Sequence, residues 1–267
     1  MKIYENYLPA AEERRVIVPM QYGPTYDLRS CEWVKENGVC VFNGEIKNDG
    51  TKLYKNLVGK MDFGKVLVQS PYDTDCYDVI NPEDPNGVLH THVLQKLDIL
   101  RTFCMYLGAV YVKIVYREVE KNKEVTKMTT EMPETPESPD IDATIVKGWI
   151  ENEHTNYQML LKMEDIQPDI EGAEKYLKET NLDADSEFAN VLKRRAISLN
   201  NPRANYMDAM NISLVKNSAN ILNIVAKVKF KEFKISSTFT RLIEEKKNTW
   251  LSVEIHYGRE FERKSNK

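Results

Sequence analysis

Between Pro71 and Asp84 the chain reads Pro-Tyr-Asp-Thr-Asp-Cys-Tyr-Asp-Val-Ile-Asn-Pro-Glu-Asp, with His90 and His92 close behind. Carboxylates gathered this closely offer the oxygen ligands that hard cations need, and histidine beside carboxylate suits a transition metal or a proton shuttle. The candidate ligands are Asp73, Asp75, Asp78, His90 and His92, and the matching reaction is metal-dependent hydrolysis. Two features count against it. The spacing is not that of an EF-hand loop, whose glycine and closing glutamate are missing. His90 and His92 stand two apart at a helix start, whereas residues four apart share a helix face. Asp and Asn also build turns and helix caps unaided, so Tyr72 to Asn86 is expected to be a loop.

A second group is cationic. Lys193-Arg194-Arg195 precedes Lys227, Lys229, Lys231 and Lys234, with Phe230 and Phe233 among the last four. Basic residues interleaved with aromatics suit single-stranded nucleic acid or anionic lipid headgroups. Lysine on the outside of a strand also simply protects a sheet edge from aggregation.

Other chemistries find no support. The chain has no GxSxG elbow, no GxGxxG and no GxxxxGK[ST] motif, and 11 glycines in 267 residues. His154 and His256 stand alone, the latter expected on the polar face of a strand. Cys31, Cys40, Cys76 and Cys104 show no CxxC spacing and are expected to be structural. No cofactor is implied.

The elements that must position these residues are set by composition and charge. With 37 Lys+Arg against 41 Asp+Glu the net charge is −4, and 42% of residues are hydrophobic. That excludes a disordered chain and a dense disulfide scaffold, and no apolar run is long enough for a membrane-spanning helix. The small net charge conceals a split. Residues 1–130 carry 17 basic and 18 acidic residues, residues 131–190 carry 4 and 16, and residues 191–267 carry 16 and 7. The N-terminus lacks a signal-peptide or transit-peptide pattern, so a cytoplasmic protein with reduced thiols is expected.

Short strands are expected at Arg15–Met20 (with Pro19 marking an edge or bulge), Val39–Phe42 and Gly64–Val68. Asp84 as N-cap, Pro85 at the first helical position and Gly108 as a left-handed stop frame a core helix. Leu89, Val93, Leu97, Leu100, Cys104 and Leu107 form its apolar stripe. After Gly108 the period drops to two, with Val110, Val112, Ile114 and Tyr116 on one face, and the strand is expected to return through Val125. Glu131 to Asp140, with prolines every third residue, reads as an extended linker.

Beyond it, a strand at Ala143–Ile150 and helices at Ile170–Glu179 and Ser186–Leu199 are expected, with residues 156–166 ambiguous. Phe188, Val191, Leu192, Ala196 and Leu199 would form the buried stripe of the second helix. The C-terminal part is expected to be β throughout: Met210–Leu214, Ile221–Phe230, Phe233–Phe239 and Trp250–Tyr257.

The order of elements does not alternate βαβ, so an α+β fold with a largely antiparallel twisted sheet, one core helix and an acidic helical insert is expected. The expected boundaries are 1–130, a linker over 131–142, the insert over 143–202 and basic strands over 203–267 completing the same sheet. The functional expectation is a non-catalytic binding protein whose basic C-terminal sheet engages an anionic surface. Its most specific form is a membrane-engaging, pore-forming-type effector restrained by the acidic insert. The uncharged runs Thr102–Val112 and Asn217–Ala226 have about the length of a membrane-crossing strand. The alternatives are the metal-dependent hydrolase, a nucleic-acid-binding protein and a homo-oligomeric assembly protein built through sheet edges.

Overall fold

The computed structural model describes residues 3–4, 7–19, 38–42, 45–81, 84–120, 123–125, 158–162, 167–200, 207–227 and 249–257. The linker over 131–142, the strands expected at Ala143–Ile150 and Phe233–Phe239, and Cys31, His154, Lys229, Lys231 and Lys234 lie outside them. The fold is α+β, with five α-helices and two mostly antiparallel sheets among the described residues. The chain divides into two compact units, Met1–His92 with Val215–Lys247 and Val93–Leu214 with Asn248–Lys267.

The first unit is built on a sheet of order β1-β3-β2-β4-β5. Its strands are β1 (Ile3–Tyr4), β2 (Val16–Pro19), β3 (Val39–Phe42), β4 (Leu67–Ser70) and β5 (Asp73–Val79). β3 runs parallel to β1 and β2, and the other pairs are antiparallel. β2 is therefore internal and not the edge that Pro19 suggested. Its ladder with β4 involves only Val16 and Ile17, so Pro19 sits beyond it, where a missing N–H breaks nothing on that side. The expected loop after Tyr72 is instead the strand β5. It is the outermost strand of the sheet, and its polar residues occupy positions that water reaches, so no apolar alternation marks it. Ile17, Cys40, Phe42, Leu57, Leu67 and Tyr77 form the core.

A short helix, α1 (Lys52–Leu57), is capped by Thr51, whose hydroxyl accepts from the Tyr54 N–H at 3.2 Å. The core helix α2 (Pro85–Tyr106) has the expected ends. Asp84 Oδ1 accepts the Gly87 N–H at 3.1 Å. At the other end Gly108 adopts φ 69°, and Ala109 and Gly108 donate to the carbonyls of Cys104 and Met105, which closes a Schellman motif. All six residues of the expected stripe are buried.

The second unit carries the sheet β7-β6-β10-β9, with β8 also on β6. Its strands are β6 (Tyr111–Glu120), β7 (Lys123–Val125), β8 (Gln158–Lys162), β9 (Met207–Ser213) and β10 (Thr249–His256). Every pairing in it is antiparallel. Val112, Ile114, Met210, Ile212, Leu251, Val253 and Ile255 are buried, as the two-residue period requires.

The helices α3 (Ile170–Glu179) and α4 (Ser186–Leu199) belong to the same unit. The described part of the acidic segment from residue 167 on contributes to the core of this unit. Phe188 meets Phe103 edge to face at 5.3 Å, and Ala173, Leu177 and Leu182 are buried.

The remaining helix, α5 (Lys216–Lys227), replaces the strand expected from Ile221. Ile and Val suggested β structure, yet Ser218, Ile221, Leu222 and Val225 are buried at helical spacing. The uncharged run Asn217–Ala226 is thus helical in this fold.

Candidate functional site

The acidic strand and its histidines separate into three pairs. On β5, Asp73 Oδ2 receives the Lys52 ammonium at 2.5 Å, while Asp75 Oδ1 pairs with Arg14 Nη2 at 3.0 Å. Burial pulls the Asp73 pKa up, but the hydrogen bonds from Lys52 and Cys76 outweigh it and hold the carboxyl below its ordinary value. Burial, reinforced by the bond to Asp73, raises the Cys76 thiol to about 11, which keeps it protonated and inert.

Arg14 belongs to a buried network. It donates to Tyr77 Oη at 2.8 Å and to the Thr74 carbonyl at 3.0 Å, and Tyr77 returns its proton to the Arg14 carbonyl at 2.8 Å. These contacts tie β5 to the segment before β2, a structural task.

Asp78 and His92 do come together, with Oδ2 and Nε2 3.4 Å apart. His92 is fully buried, and both ring nitrogens are sealed from solvent without a hydrogen-bond partner. A general base must reach the proton it removes, and this imidazole is closed to solvent. His90 is half-buried on the same helix. Among the described residues, no three His, Cys, Asp or Glu side chains gather as a metal site would require. Cys40 and Cys104 are buried, and burial raises the Cys40 pKa to about 12.

The basic triplet divides just as sharply. Lys193 is exposed on α4. Arg194 grips Asp208 of β9 with Nε at 2.9 Å and Nη2 at 2.8 Å from Oδ1, and Nη2 also donates to the Ala209 carbonyl at 3.1 Å. Arg195 is buried: Nε donates to the Leu107 carbonyl at 2.9 Å, and the guanidinium lies 3.9 Å above the Tyr257 ring. It caps the C-terminal end of α2, where orphan carbonyls and the helix dipole favour a cation. Lys227 ends α5 and is not on a strand.

Arg195 occupies the inner stripe that Leu199 was expected to complete. Leu199 is 44% exposed, Ile197 62% and, at the start of β9, Met207 53%. Lys193 and Ile197 are one turn apart on the same face of α4. The Arg194 clasp fixes that helix against β9. The sequence pattern assigned Leu199 to the buried stripe and gave no signal for Ile197 or Met207.

One buried cation was not anticipated. Lys96 of α2 is fully buried, donates to the Ser213 carbonyl at 2.9 Å and lies 3.5 Å from Asp185, the N-cap of α4. His256, expected on a polar face, is also buried, edge-on to Tyr111 at 5.3 Å, and burial lowers its pKa.

No protein-family model, no curated protein and no solved structure matches the chain.

Proposed function

We propose that this is a non-catalytic binding protein that docks on an anionic membrane surface through the outer face of α4 and the start of β9. The observation that carries this reading is the exposure of Ile197 one turn from exposed Lys193 on α4, with Leu199 and Met207 exposed as well. Adsorption to a bilayer interface draws on apolar area first and on attraction between lysine and anionic headgroups second. Arg194 contributes little charge here, because Asp208 neutralises it.

Flotation of the full chain with phosphatidylcholine vesicles, with and without phosphatidylserine, tests the proposal. The wild-type chain is expected to float with the anionic vesicles. A variant carrying Ile197→Asp and Met207→Asp is expected to stay in solution while keeping its circular dichroism. No flotation, or equal flotation of the variant, overturns it. Tight binding of a single-stranded oligonucleotide by a chain that ignores vesicles would replace the membrane with nucleic acid.

A further inference from the structure

Among the described strands β9 ends its sheet, and its ladder partner there is β10. Its sequence, Met-Asp-Ala-Met-Asn-Ile-Ser, has one charge and neither proline nor glycine. Edge strands are ordinarily blunted by lysine, proline or a bulge, because a row of unpaired N–H and C=O groups is a template for another strand. This edge is blunted from outside instead.

An antiparallel ladder turns both polar groups of alternate residues to the same side. The Ala209 N–H goes to Asp208 Oδ1 at 2.8 Å and its carbonyl accepts Arg194 Nη2 at 3.1 Å, so Ala209 faces away from β10. Met207, Asn211 and Ser213 share that direction, and Asp208, Met210 and Ile212 face the ladder. The Ser213 carbonyl accepts from Lys96. Asp208 and Arg194 thus occupy both outward groups of Ala209, at the middle of the exposed stretch of the edge, and Lys96 occupies the Ser213 carbonyl at its end.

We propose that β9 is an assembly edge held shut by the Arg194–Asp208 clasp, and that its partner is β9 of a second copy of this chain. Self-pairing is built into the register. With Met210 opposite its own counterpart, Ala209 faces Asn211 and Asp208 faces Ile212, so outward-facing residues meet each other and no like charges oppose. Such a pair has two-fold symmetry, closes on itself and leaves each buried face continuous with the next. Arg194 is half-exposed, its side chain retaining 49% of its accessible surface, so the clasp weakens as salt rises.

Sedimentation velocity of the full chain tests this. The wild-type chain at low salt is expected to be monomeric, and raising the salt is expected to increase the dimer fraction. Arg194→Ala and Asp208→Asn are each expected to raise the apparent association constant about tenfold, the equivalent of about 1.4 kcal/mol. Adding Ala209→Pro should return either variant to monomer, since that N–H serves no bond to β10 and an edge position tolerates proline. The proposal fails if folded variants stay monomeric across the same concentrations. It fails if association survives Ala209→Pro. Should both clasp variants misfold, the wild-type salt series decides alone, and a dimer fraction that does not rise with salt overturns the proposal.

Discussion

Two buried polar side chains, Lys96 and His256, carry the clearest energetic consequences. Lys96 sits three residues after Val93 and four before Leu100, so a helical reading puts its ammonium inside the core. It survives there because Ser213 and Asp185 meet it. Lys96→Met leaves a buried carboxylate and a carbonyl without their cation, and is expected to cost about 3 kcal/mol in urea unfolding. His256 gives a pH dependence of definite sign. Burial holds its folded pKa below the ordinary value, so the unfolded chain takes up the proton first as pH falls. Stability is therefore complete above about pH 6.5 and declines below it, toward the folded pKa. His256→Phe keeps the ring against Tyr111, and its urea midpoint should fall less than that of the wild-type chain between about pH 7.5 and about pH 5.

Turns set the limits of the elements, and two glycines separate conformational strain from crowding. Gly38 (φ 72°) precedes β3, and a Cβ there would meet the Glu12 carbonyl at 2.5 Å. Gly64 (φ 80°) has nothing within 4 Å of the same position. Gly64→Ala is expected to cost about 1 kcal/mol, the strain of a left-handed alanine, and Gly38→Ala about 3 kcal/mol once the clash is added, both readable by thermal unfolding. The elements that sequence reasoning located best are those with both a period and a cap. α2, α3 and α4 begin after Asp84, Asp169 and Asp185, whose side chains accept first-turn N–H groups. β5 escaped because an outermost strand keeps its polar residues in water. α5 escaped because Ile and Val favour strands, although Ser218, Ile221, Leu222 and Val225 carry the helical period. The candidate surface was half legible. Lys193 was expected on the outside, but the burial of Arg195 depends on a carbonyl at the end of α2 and a ring at the end of β10, neither near it in sequence.

At the scale of the whole molecule, the net charge of −4 gives no long-range attraction to an anionic membrane, so binding must be local. Among the described residues the acidic block is packed into the second unit. The ion pairs of α3, Lys178–Glu174 and Lys175–Glu179, are internal to that helix, and its apolar residues enter the core of the second unit. The basic residues are likewise partly committed, Arg194 to Asp208 and Arg195 to the end of α2. Salt therefore acts in opposite directions on the two proposed behaviours. Screening weakens the attraction of Lys193 to headgroups, leaving the apolar contribution of Ile197, Leu199 and Met207. The same screening loosens the Arg194 clasp and exposes the β9 edge. Across a salt series, flotation with anionic vesicles should fall while the dimer fraction measured without vesicles rises. If flotation holds constant, adsorption is purely apolar and the anionic preference is lost. If the dimer fraction falls instead, charge attraction between copies drives association, and the closed edge is not its source.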